Sequence, residues 1–173
     1  MSGAQGYRRI ITGHDAQGRS IVQHDGIAEG CNPVDVNLWT TAHRGTGLPD
    51  VGLPFYPPAG TATVRFVHLP PDPDPLPQGE AAEAMSRGFF AAAGIEDCRV
   101  DTSRHPLAHR TPTTDVIVAL SDNISLVLDE GAPVPLRRYD VVVQRATNHA
   151  WSVRGPEAGH LLSIMFSNDE GTD

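Results

Sequence analysis

The sequence predicts an all-β sandwich or barrel, entered through an N-terminal hairpin and a single helix. Three observations point there. Short apolar runs recur through the last 70 residues at close spacing. The segments between them, SDN, DEGA, RYD, RATN and RGPEAG, carry turn chemistry. The chain holds 15 Pro and 17 Gly, which suits many short elements joined by turns.

Taken in order, Tyr7 to Thr12 and Ser20 to His24 are β-branched runs around HDAQGR, whose Gly18 supplies the positive φ of a hairpin turn. Val34, Val36 and Leu38 alternate with polar neighbours, the period of a half-buried strand. Residues 45–60, GTGLPDVGLPFYPPAG, hold too many prolines for a helix or a central strand and read as a structured surface loop. TATVRFVHL, Thr61 to Leu69, resumes a strand, and the proline run after it divides the chain into halves. GEAAEAMSRGFFAAA, Gly79 to Ala93, is the one convincing helix, with early Glu residues at its positive end and Gly94 as a stop. Met85 and Phe89 share a face and are expected to dock it on the barrel. Strands are then expected over Thr113–Leu120, Ile124–Leu128, Val134–Arg138, Val141–Gln144, His149–Val153 and His160–Phe166.

At 173 residues the chain suits one domain with a core of its own. A net charge of −8 argues against a nucleic-acid partner, and all 13 basic residues are Arg, which excludes Schiff-base chemistry and a lysine base. No glycine-rich phosphate loop or GxSxG elbow appears, so no nucleotide cofactor is expected. Cys31 and Cys98 stand alone and read as buried free thiols. The opening MSGAQGYRRIITGHD lacks an apolar run, and a soluble cytoplasmic protein without membrane contact is expected.

Side chains two apart in a strand share a face, so His109, Thr111, Thr113, Asp115 and Ile117 can line one interior. His149 and Trp151 share a face of a later strand. Phe66 and His68 are expected in the pocket wall, with Arg65 on the outer surface. Two imidazoles and a carboxylate, His109, Asp115 and His149, suit an open divalent metal site, and His105 adds a nitrogen if HPLA bends back. Without metal, the same residues form a polar cluster in which Asp115 orients a His for acid–base work.

HPLAHRTPTTD, LVLDEG and DVVVQRATNHAW closely resemble, over residues 105–151, a variant of the two cupin motifs found in small single-domain cupins of secondary-metabolite pathways. Against the usual metal-cupin pattern, His109 and His149 are kept, Thr111 replaces the second His, and Asp115 replaces Glu. The resemblance implies a double-stranded β-helix, or jelly-roll barrel, spanning one domain over 1–173. That domain comprises N-terminal strands and loops to 75, a helical segment 76–98, a cupin core 99–167 and a tail 168–173. It also implies a homodimer and a metal-dependent oxidoreductase or tailoring enzyme, with Fe, Mn, Zn or Ni held by His109, Asp115 and His149. The alternatives are a metal-free isomerase, cyclase or dehydratase, or a ligand-binding module. The substrate is expected to be a small, partly apolar molecule beside Ile117, Trp151 and Phe66.

Overall fold

Alternation of inward and outward side chains organises the larger sheet. The structure, a computed structural model, describes residues 7–28, 35–41 and 55–168. The strands are β1 (Tyr7–His14), β2 (Ser20–Ala28), β3 (Asp35–Thr40) and β4 (Ala62–Leu69), followed by the helix α1 (Gly79–Ala93). After a 3-10 turn at Glu96–Cys98 come β5 (Thr113–Ala119), β6 (Ile124–Leu128), β7 (Val134–Pro135), β8 (Val141–Arg145), β9 (His149–Val153) and β10 (Gly159–Ser167). In β5 every second residue, from Thr113 through Asp115 and Ile117 to Ala119, is buried, and β10 repeats the pattern with Leu161, Ser163 and Met165.

One sheet runs β3-β4-β10-β5-β8 and a second runs β7-β6-β9, while β1 and β2 form a separate hairpin. All described pairings are antiparallel. A bridge from His109 to His149 adds the segment before β5 to the second sheet, beyond β9. From β4 onward the chain therefore crosses repeatedly between two facing sheets, the connectivity of a jelly roll. This is the expected jelly-roll fold.

Between the sheets Ile117, Ala119, Ile124, Leu136, Val153 and Leu161 form the main core. Gly159 is obligatory at its edge, because a Cβ there would sit 2.8 Å from Ile124 Cγ1. A second cluster of Phe90, Ile95 and Cys98 seats the helix. Helix α1 matches its expected span and ends on Gly94 at φ 66°. Arg99 ties it down, donating through Nε to Ser86 at 2.8 Å and pairing with Glu83. Cys98 is the expected buried thiol, pushed up to about 12 by burial, with Asp97 adding to the effect. Cys31, Val34 and most of the proline-rich loop at 45–60 lie outside the described residues.

Two expectations need correcting. The strand expected over Val134–Arg138 shrinks to Val134–Pro135, since Leu136 turns into the core and its amide bonds to Ile124. The proline run does not separate two halves. Asp72 within it exchanges backbone hydrogen bonding with β9, its amide donating to Val153 O at 2.9 Å. Its carboxylate Oδ2 accepts from Ser152 Oγ at 2.6 Å, the Val153 amide at 3.1 Å and His105 Nε2 at 3.4 Å. The run is stitched to the barrel.

Partial burial works to raise the Asp72 pKa, but the His105 and Ser152 hydrogen bonds lead the effects that outweigh it, and the carboxyl titrates below its ordinary range. A depressed carboxyl pKa stabilises the fold above the unfolded value, near pH 4, and that stability is lost as pH falls through the folded value. Asp72→Ala should therefore cost about 3 kcal/mol in urea unfolding near neutral pH, by orphaning buried donors. The gap from wild type should narrow in acid.

Candidate active site

A cavity of about 110 Å³ opens between the sheets under α1. On a scale where one water needs roughly 10–15 Å³, it accommodates a small organic molecule. Strand β5 and the residues before it supply His109, Thr111, Asp115 and Ile117, and β9 supplies His149 and Trp151. The expected juxtaposition of His109, Asp115 and His149 in one cavity is thus formed. Thr113, expected in the pocket wall, stands behind it instead, its hydroxyl 2.7 Å from that of Thr111 and hydrogen-bonded to Asp115.

The two imidazoles share a local design. His109 Nδ1 lies 3.0 Å from Leu107 O and His149 Nδ1 lies 3.0 Å from Thr147 O. A carbonyl only accepts, so each Nδ1 carries a proton. The rings pack at 4.5 Å between centroids, and Trp151 meets His149 edge-on at 5.4 Å. Burial and, secondarily, the neighbouring His109 push the His149 pKa down to about 3, so this ring is neutral at physiological pH.

Asp115 is shifted the other way. Burial raises it to about 6, against the opposing effects of the Thr113 hydrogen bond and the Arg65 charge. Its Oδ1 is buried without a hydrogen-bond partner.

Three further sequence-derived placements are overturned. Phe66 and His68 belong to the outward face of β4: Phe66 packs on Tyr7 at 4.3 Å, and His68 Nδ1 lies 3.0 Å from His160 Nε2. Arg65, expected outside, is 3% exposed and lines the cavity with Val67 and Leu69. The pairing of Arg65 with Ser163 and of Leu69 with Gly159 sets that facing, and TATVRFVHL is apolar enough on both faces to hide it. Third, His105 does not join the site. Its Nδ1 accepts from the Leu107 amide and its Nε2 donates to Asp72, and it does not line the cavity.

The sequence also left Phe55, Leu107 and Met165 unassigned, although all line the cavity. Met85 and Phe89 dock α1 as expected and in doing so form part of the cavity wall. Their four-residue spacing was the available signal.

The metal centre implied by the resemblance asks for three convergent protein donors. Among the described residues, no group of three or more His, Cys, Asp or Glu is placed to hold an ion. The side chains present do not fit that site: Thr111 stands where a ligand is usual, Asp115 is one methylene short of Glu, and His105 is bound to Asp72. Among the described residues no helix is long and apolar enough to cross a membrane.

No family model matches the chain. Phomopsin biosynthesis cluster proteins C' and D of Diaporthe leptostromiformis are each 50% identical over 61 residues, covering 35% of this chain and 32% of theirs. Oryzines biosynthesis cluster protein J of Aspergillus oryzae is 41% identical over 61 residues, covering 35% of this chain and 33% of its own. The chain thus matches about a third of the length of these curated relatives. A Cupin 2 conserved barrel domain protein from Salinispora arenicola aligns over 81% of both chains at 12% identity and a TM-score of 0.42. The fold assignment stands on this chain's own strand order.

An aspartate whose folded pKa is raised favours folding less as pH climbs from the unfolded value, near 4, to about 6, and costs stability above both. Asp115→Asn should therefore stabilise the protein at pH 8 by up to about 3 kcal/mol. The gain should vanish below about pH 4, where both carboxyl states are protonated. Denaturant unfolding at the two pH values isolates the effect, since the His149 contribution is common to both proteins.

Proposed function

We propose that the cavity carries out proton transfer on a small, partly apolar organic molecule in a biosynthetic pathway, with Asp115 as the acid–base group. One observation carries this reading: a carboxyl buried in a largely apolar wall, its Oδ1 unpartnered and its pKa held near neutrality at about 6. General acid–base catalysis works best when the catalytic pKa lies near the operating pH. His149, at about 3, is too weak a base for that role. Its neutral ring is suited to accept a hydrogen bond at Nε2 from a substrate hydroxyl or amine. The expected roles are thereby exchanged: Asp115 moves the proton and the imidazoles orient.

The names of the relatives support a biosynthetic setting, as all three are biosynthesis cluster proteins. A metal-dependent oxidation is not adopted, because the donor set does not converge. Trp151, Ile117 and Met165 exclude water from the reacting carbon and favour an apolar body.

Incubation with a panel of small carbonyl compounds in D₂O, followed by mass spectrometry, tests the proposal. Hydrogens next to the carbonyl should exchange for deuterium in chelator-treated protein, at a rate rising with pH through about 6 as Asp115 ionises. Asp115→Asn should lower that rate by about 10²–10⁴-fold. Exchange that disappears with chelator and returns with one of iron, manganese, zinc or nickel would refute it. Ligand binding without exchange in any compound would mark a binding module instead.

The reading includes a homodimer. Ile10, Ile21, Val22 and Ile27 on the hairpin, and Val141, Val143 and Phe166 on the outer face of the larger sheet, are exposed apolar residues that a second copy would cover. Light scattering should report twice the 18.5 kDa chain mass, and Val141→Glu with Val143→Glu should shift it to the monomer.

A further inference from the structure

The antiparallel pairing of β4 with β10 sets His68 directly opposite His160. Directly opposed residues share a face of the sheet, with Cβ atoms about 4.5–5.5 Å apart. This pair stands on the outer face, while the next pair along, Val67 with Leu161, faces inward and lines the cavity. His68 Nδ1 lies 3.0 Å from His160 Nε2, and the rings meet edge-on at 4.8 Å between centroids. The backbone of His160 is fixed from its other side: its amide donates to Ser121 Oγ at 3.0 Å, and its carbonyl accepts from the Leu120 amide at 2.9 Å. His68 is exposed and His160 half-buried, so solvent reaches the pair.

A metal–imidazole bond is about 2.0–2.1 Å long. Two imidazole nitrogens on one ion therefore lie about 2.8–3.0 Å apart at a right angle and about 3.3–3.4 Å apart at the tetrahedral angle. The observed 3.0 Å matches the right angle. Right-angled nitrogen ligands suit tetragonal Cu(II) or Ni(II), and of the first-row divalent ions Cu(II) binds such donors most tightly. Among the described residues no third His, Cys, Asp or Glu joins the pair, so the ion's other positions go to water or an incoming ligand. Two protein donors leave the ion exchangeable. Coordination takes a lone pair from each neutral ring, so the ring that now donates to its neighbour carries its proton on its other nitrogen instead.

We propose that His68 and His160 form an exchangeable Cu(II) site on the outer face of the barrel, separate from the cavity. The inference goes beyond the proton-transfer reading and does not depend on it. His109 and His149 make the contrast, since each commits its Nδ1 to a carbonyl two residues back. His68 and His160 instead turn a nitrogen toward each other across the strand pair. An ion held there clamps β4 to β10, and because it needs the folded pairing it stabilises the fold.

Titration of Cu(II) into the untagged full chain near neutral pH, followed by electron paramagnetic resonance, tests this. One equivalent should bind with a Kd of about 10 μM or tighter and give an axial spectrum split by two nitrogens. His68→Ala and His160→Ala should each weaken that binding about tenfold or more, while His149→Ala, in the cavity, should keep it within about threefold of wild type. Excess Cu(II) should raise the urea midpoint of the wild type and leave the His68 and His160 variants unmoved. Binding as tight in His68→Ala as in the wild type overturns the proposal, as does the absence of bound Cu(II) at about 100 μM. Loss of the ion in a folded His149→Ala variant overturns it too, by placing the copper in the cavity. If His160→Ala does not fold, His68→Ala decides alone, its side chain being exposed.

Discussion

His109 and His149 exchange both of their backbone hydrogen bonds, each at 2.9 Å. Through that exchange the segment before β5 becomes part of the second sheet, and Arg99, bridged in turn to His109, brings α1 with it through Ser86 and Glu83. The helix, the sheet and the site thus share one anchor. Because the two residues are directly opposed, their rings stand side by side, and each Nδ1 reaches the carbonyl two residues back. Both imidazoles consequently carry a proton on Nδ1. Phe90 completes the row, meeting His109 edge-on at 6.1 Å from the helix side.

Two aspartates in the cavity wall show how surroundings assign roles to identical side chains. Asp72 collects three donors on one oxygen and is held ionised, so it works as a structural rivet between the proline run and β9. Asp115 is more deeply buried, and the Thr113 hydrogen bond and the Arg65 charge do not offset that burial, so its charged form is disfavoured and it titrates near neutrality. The ionised Asp115 destabilises the fold, and the barrel core around Ile124, Val153 and Leu161 offsets that cost. Such a strained carboxyl beside a fixed cation is a feature of reactive clefts more than of structural ion pairs.

Much of this was readable beforehand where local pattern and global fold agree. The strands β5, β6 and β9 and the helix α1 fall within a residue of their expected limits, because alternation, a helical apolar stripe and terminal glycines are local signals. The site residues on β5 and β9 were equally legible, since a two-residue period fixes which side chains face together. Errors arose where both faces of a strand look alike. Val64, Phe66 and His68 compete with Arg65, Val67 and Leu69 for the interior, and a buried arginine is the less expected winner. His105 was misjudged because its partner, Asp72, is 33 residues away in a segment that reads as a simple breaker.

The sequence by itself determined the element types, the shared face of His109 and Asp115 and that of His149 and Trp151, and the absence of lysine chemistry. These follow from residue identity and from periods of two and 3.6, which need no knowledge of distant partners. Only the tertiary structure decided that Arg65 turns inward, that His105 is claimed by Asp72 and that three metal donors do not converge. Each of these depends on strand register and on contacts between segments far apart in the chain, where a shift of one residue exchanges the interior for the surface.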